Sequence, residues 1–176
     1  MQHWNDEWKK AELDFVNLLN DNGMRGGKLA EKLEDQYKDI DVLFDYGKRQ
    51  WSVSIKDQGN VETYKSFLFE YLLVNTDDNS NMLGSVLTNR SDYYAIRYQL
   101  GEDYYFSLVD SSKLKEALLY TRRESIPLQK WKRIANRNKL HRKYNHTLCW
   151  RFMLDEWEEL KPATFKKVSN KWTLQK

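Results

Sequence analysis

Cysteine is almost missing: Cys149 stands alone among 176 residues. No internal disulfide is available, and a reducing interior is the simplest home for such a chain. Three histidines beside that one cysteine leave no zinc constellation to assemble. Seven glycines and two prolines are too few for a fibrous or Pro/Gly-rich disordered chain. No apolar run approaches the roughly 18 residues of a membrane span. The polar opening Met1-Gln-His-Trp-Asn-Asp-Glu7 lacks the apolar stretch of a signal sequence. No membrane partner and a cytoplasmic, intracellular location are therefore expected. No phosphate-cradling glycine loop, dinucleotide fingerprint or nucleophile elbow occurs either.

Aromatics are what the chain has in quantity. Seven Trp, eleven Tyr and seven Phe offset an apolar fraction of only 40%, and a chain of this length can bury one proper core. Charge is unevenly placed behind a net of +3. Residues 1–110 hold 12 Lys/Arg against 20 Asp/Glu, whereas residues 111–151 hold 12 against 2. An acidic body with one strongly basic segment points to a polyanionic partner. Within that segment Arg122, Arg123, Lys130, Lys132, Arg133, Arg137, Lys139, Arg142 and Lys143 lie among Trp131, His141 and Tyr144. Cations meet phosphates while aromatics stack on bases. The plainer alternatives are a solvated helix face, or a patch that neutralises the acidic body across a homodimer.

Periodicity orders the chain. Residues 5–22 read as an amphipathic helix through Trp4, Trp8, Ala11, Phe15, Leu18 and Leu19. Gly26-Gly27 reads as a break, and residues 28–37 as a second short helix with Leu29, Ala30 and Leu33 on one side. Residues 65–74 suggest a buried strand interrupted by Glu70, an acid that needs either solvent or a partner. Residues 76–81 read as a loop, and 93–100 and 104–109 as strands joined by a turn. Asp110-Ser-Ser112 caps a helix over 113–123. A basic helix over 130–143 and a strand or buried segment over 147–154 follow. The expected order is helix, helix, antiparallel meander, helix.

The hairpin Asp39-Ile-Asp-Val-Leu-Phe-Asp-Tyr-Gly-Lys-Arg-Gln-Trp-Ser-Val-Ser-Ile-Lys-Asp-Gln58 organises the rest. A loop of Tyr46 to Arg49 sets Phe44 against Trp51, Val42 against Val53 and Ile40 against Ile55, so one face is core. The other face gathers Asp41, Ser54 and Lys56, with Gln58 continuing it. Polar residues on such a face are ordinarily just turned to water.

An Asp on one strand followed by an x-Lys pair on the next resembles the active-site hairpin of the PD-(D/E)XK nuclease superfamily. Val53-Ser-Ile-Lys-Asp-Gln58 is similar to the Lys-bearing strand of its phage- and restriction-type members, and Leu87-Thr-Asn-Arg-Ser-Asp-Tyr-Tyr94 adds to the likeness. The departure is Ser54, which stands where the family has its second acid. The resemblance covers roughly residues 8–120. It implies an α+β fold with a restriction-endonuclease-like core, a central mixed sheet flanked by helices, over residues 1–120. Residues 121–176 then form a basic C-terminal extension packed on the same domain. It implies an Mg²⁺- or Mn²⁺-dependent DNA endonuclease of phage or mobile-element type, working inside a host cell. Asp41, Lys56 and Glu70 would be catalytic. Asp41, the Ile55 carbonyl, Glu70 and, as second choice, Glu12 would hold the metal. The alternative is a catalytically inactive relative that kept the fold and binds nucleic acid or a protein partner.

Overall fold

The computed structural model describes residues 3–31, 38–75, 78–120, 125–129 and 146–175. Helix α1 (His3–Asp21) is followed by strands β1 (Arg25–Leu29), β2 (Val42–Tyr46), β3 (Arg49–Asn60), β4 (Ser66–Val74) and β5 (Asn81–Leu83). A short helix α2 (Ser85–Thr88) leads to β6 (Tyr93–Leu100) and β7 (Asp103–Asp110), then helix α3 (Ser111–Tyr120). Strands β8 (Ser125–Gln129) and β9 (His146–Met153), helix α4 (Leu154–Glu159) and the closing strands β10 (Ala163–Val168) and β11 (Lys171–Leu174) complete the order. The class is mixed α+β. No described helix is long and apolar enough to cross a membrane.

Two sheets form. Seven strands run in the order β1-β2-β3-β6-β7-β10-β11, and four in the order β5-β4-β9-β8. Within the larger sheet β3 and β6 pair in parallel, Val53 opposite Tyr93 and Ser54 opposite Tyr94, while the other pairs are antiparallel. The sheet is therefore mixed, and the expected unbroken antiparallel meander is corrected. The chain leaves β3, builds β4 and β5 into the second sheet, and returns to lay β6 beside β3. Strand β4 belongs to the second sheet and its own core. Phe67 and Phe69 are both buried, and they face a second core rather than extending the first.

Each face of the larger sheet has its own core. On one side Ala11, Phe15, Leu18 and Leu19 of α1 pack on Val42, Phe44, Val53, Ile55, Ala95 and Phe106. On the other, Tyr94, Ile96, Tyr98 and Val109 meet Phe67, Phe69 and Phe152 of the smaller sheet and Trp157 of α4. The Gln58 side chain links the two sheets. Its Nε2 donates to the Leu68 carbonyl at 3.0 Å and its Oε1 accepts from the Leu68 N–H at 3.1 Å.

The α1 face has the residues its period demands. The second helix expected over 28–37 does not begin there: residues 25–29 are strand β1, while 32–37 lie outside the described residues. Gly26 and Gly27 are the reason. A β-bulge falls between Arg25 and Lys28, and a Cβ on Gly27 would come 2.9 Å from the Leu19 side chain. Glycine thus lets β1 lie against α1, and Leu29-Ala30 packs as strand whatever its helical preference. The hairpin keeps the expected register, Phe44 opposite Trp51 and Val42 opposite Val53. Its turn is shorter than expected: Tyr46 pairs with Arg49, leaving Gly47-Lys48, with Gly47 at φ 67°. Val53 and Ile55 are buried as expected, whereas Trp51 is half-buried beneath the Arg49 guanidinium.

Asp110 caps α3 through its Oδ1, which accepts the Ser112 N–H at 2.8 Å. The helix ends at Tyr120, and residues 121–124 are outside the described set. Residues 146–153 are a strand, β9, opposite β4. The C-terminal third supplies strands to both sheets, since β10 pairs with β7 and β8 with β9. The basic helix expected over 130–143 falls outside the described residues, as do Arg122 and Arg123.

Candidate functional site

The site forms where the chain enters the hairpin. Strand alternation sends Val53 and Ile55 to the α1 core and leaves Ser54 and Lys56 on the opposite face, level with Tyr94 and Ile96 of the parallel neighbour. Ahead of Val42 the chain bends out of the ladder. Asp39 takes a left-handed conformation, φ 56°, which Asp tolerates better than most residues.

That bend swings two carboxylates over β3. Asp41 Oδ2 accepts the Ile55 N–H at 2.6 Å, with the Ser54 hydroxyl 3.5 Å away. Asp39 Oδ2 accepts the Ser54 hydroxyl at 3.0 Å, and its Oδ1 accepts from Lys56 Nζ at 2.8 Å. Ser54 is fully buried, and the Lys56 side chain is 25% exposed. The bend before β2 and strand β3 thus bring Asp41, Ser54, Ile55 and Lys56 together. Asp39 joins them, a residue that strand alternation gave no reason to single out.

Electrostatics draw in one more group. Burial, and after it the Asp41 charge, push the Glu12 carboxyl on α1 up to about 7, with Lys9 and Lys56 pulling the other way. Burial also raises the Asp41 pKa, and Asp39 adds to the rise against Lys56 and the Ile55 N–H. Burial opposes the Lys56 charge, but Asp39, Tyr94 and Asp41 together outweigh it and hold the ammonium above its ordinary value. Tyr94 is buried beside it, its phenol pushed up by burial and hydrogen-bonded to Ser85.

Glu70 stands apart from these contacts. It is half-buried on β4, opposite Cys149 in the smaller sheet. It makes no hydrogen bond or ion pair with Asp39, Asp41, Ser54 or Lys56. Glu12, second choice from sequence, is the acid that feels Asp41.

The donor chemistry fits a hard divalent cation. Glu12, Asp39 and Asp41 offer carboxylate oxygens, the ligand type of Mg²⁺ and Mn²⁺. Both hydrogen bonds to Asp41 fall on Oδ2, and among the described residues no donor takes Oδ1. Asp39 and Asp41 share the Lys56 ammonium, Glu12 feels Lys9 as well, and a cation would offset the burial that raises the Glu12 pKa. No cage is preformed: among the described residues no three His, Cys, Asp or Glu side chains stand together as a ready ligand group. Mg²⁺ sites that complete their shell with water and substrate phosphate need only one or two carboxylates. Comparison of the chain with family models, curated proteins and solved structures returns no match.

Proposed function

We propose that the chain is a metal-dependent DNA endonuclease with a restriction-endonuclease-like core of the PD-(D/E)XK type, working in a phage or mobile-element setting inside a host cell. One observation carries the reading: Asp41, at the entrance to β2, and Lys56 of β3 share one half-buried face with Asp39 and Ser54. Phosphodiester hydrolysis needs a positioned water, charge neutralisation at phosphate, and relief for the leaving oxygen. When bound, a divalent cation supplies Lewis-acid polarisation of the phosphate and a more acidic water. Asp41 and Glu12 would hold it, with Asp39 able to join once Lys56 turns towards substrate.

The chain's own residues have separate tasks. Asp41 is oriented by the Ile55 N–H, which fixes Oδ2 and leaves Oδ1 directed elsewhere. Lys56 remains protonated at neutral pH because Asp39 holds it, so it serves as a fixed positive charge for developing negative charge on phosphate, not as a base. Glu12, which feels the Asp41 charge, would be the second carboxylate at the cation. The basic residues of 122–143 supply backbone affinity for DNA in this reading.

A second reading is favoured by Ser54. With no acid there, and with Asp39 committed to Lys56, the same face suits a catalytically inactive DNA- or protein-binding relative. Plasmid nicking separates the two. An endonuclease converts supercoiled to open-circular DNA with Mg²⁺ or Mn²⁺ and stops with chelator. Purified protein that retards DNA under all those conditions without nicking it removes the enzyme reading.

A further inference from the structure

Two cations at the edge of this site, Arg90 and Lys115, form no ion pair among the described residues. Arg90 follows Asn89, the buried residue that ends α2. The Arg90 N–H donates to the Lys38 carbonyl at 2.9 Å, which fastens this turn to the segment carrying Asp39. Lys115 on α3 reaches the same turn, its ammonium donating to the Asn89 carbonyl. Three separate parts of the chain therefore meet here. Lys115 is half-buried and Arg90 is exposed.

The charges are uncompensated. Burial and then the Arg90 charge hold the Lys115 pKa below its ordinary value, while Asp39 acts in the opposite sense. Asp39 itself is already engaged by Lys56. Arg49, Lys56, Arg97, Lys166 and Lys167 all form ion pairs. Among the described residues Arg90 and Lys115 form none. Like charges held near one another by main-chain ties are unfavourable unless an anion answers them.

We propose that Arg90 and Lys115 form a phosphate-contact pair that seats the backbone of a DNA strand beside Asp39, Asp41 and Lys56. The choice of anion rests on the nuclease reading; the pairing of the cations does not. A guanidinium fork and an ammonium are the two groups proteins use most for phosphate oxygens. The pair also answers a difficulty of the site. Carboxylates at 39 and 41 repel a phosphate unless cations stand close by, and Lys56 is one charge against two.

The test is binding of a short fluorescein-labelled DNA duplex to the full chain, in EDTA, across a salt series. Each phosphate contact contributes roughly 0.9 to the slope of log affinity against log salt. Arg90→Gln should make the slope shallower by about 0.9, and the double variant with Lys115→Gln by about 1.8. Lys115→Arg keeps the charge and should keep the wild-type slope. Lys115 also anchors the end of α2, so Lys115→Gln can disturb folding. Arg90→Gln changes an exposed side chain and decides the matter alone. A wild-type slope in Arg90→Gln overturns the proposal. Nicking by wild-type protein with Mg²⁺ is scored separately. Protein that never nicks DNA but loses slope loses the nuclease reading and keeps the phosphate site; nicking with an unchanged slope does the reverse.

Discussion

Glu12 and Asp14 lie two residues apart on α1, yet they enter unlike charge clusters. Asp14 is buried and meets Arg97 at 3.1 Å and Lys167 at 3.2 Å, and Arg97 reaches on to Asp57 at 2.6 Å. Two acids face two cations. Arg97 also lies over the Tyr104 ring and Lys167 over that of Trp172, which keeps both heads in place. Around Glu12 the charges are Asp41 on one side and Lys9 and Lys56 on the other, with Asp39 paired to Lys56 beyond them. There the carboxyls of Glu12 and Asp41 are pushed up by burial. Burial is common to both clusters, so burial does not mark the chemistry. Pairing separates them: in the closed cluster Asp14 meets two cations in ion pairs, whereas in the open one Glu12 forms none among the described residues and has its carboxyl pKa raised.

The contrast can be broken by experiment. The largest effect belongs to the open cluster. Asp41→Ala and Lys56→Ala should each drop plasmid nicking below detection while leaving duplex affinity in EDTA within about twofold, because neither group is a main backbone contact. Retention of nicking by either variant would remove the assigned roles. The closed cluster should answer in stability instead. Arg97→Met leaves Asp57 without its cation and Asp14 with Lys167 alone, and losing one partner of a buried pair costs ~3–5 kcal/mol. Urea unfolding measures it, and a loss below about 1 kcal/mol would show the network to be dispensable.

Proton linkage gives the next effect. Glu12 has its carboxyl pKa raised from 4.5 to about 7 in the folded protein. Between those values the folded state holds more protons than the unfolded one, so stability falls as pH rises from 4.5 to 7 and then levels off. Glu12→Gln should flatten that fall and be more stable than wild type at alkaline pH, read from urea midpoints across pH. An identical pH profile in the two proteins would contradict the assignment. The smallest change expected is Ser54→Glu. It installs the acid that PD-(D/E)XK nucleases carry at the matching position, and metal-dependent nicking should hold or rise a few-fold. Complete loss of nicking in a folded variant would mean that Asp39 and the buried hydroxyl tolerate no acid between them.

Sequence pattern carried the hairpin because alternation there is strict on both strands and allows one register only. It carried α1 for the same reason, through Ala11, Phe15, Leu18 and Leu19. It could not carry Asp39. A left-handed residue reaching across a strand leaves no period behind, and Asp39 precedes the alternating run. The only trace was an acid two places before another acid at a strand entrance. Nor could it assign β4 to a second sheet, since Phe67 and Phe69 read the same against either core. The parallel partner of β3 was illegible too, because it depends on where the chain goes between Asn60 and Tyr93. At Gly26-Gly27 local preference misled: close approach to Leu19 decided the backbone, and Leu29-Ala30 followed.

The last strands have a bearing on how the chain is made. Trp172 takes the Asp21 carboxylate on its N–H at 2.9 Å and gives its carbonyl to the Asn22 side chain, 150 residues away. Its ring packs 4.9 Å from that of Phe106, which in turn meets Phe15 of α1. The core beneath α1 is therefore incomplete until β10 and β11 arrive. At about 5–20 residues per second on the ribosome, α1 waits roughly 8–30 s for Trp172. Such distant closure slows folding beyond what helix and hairpin formation alone would set.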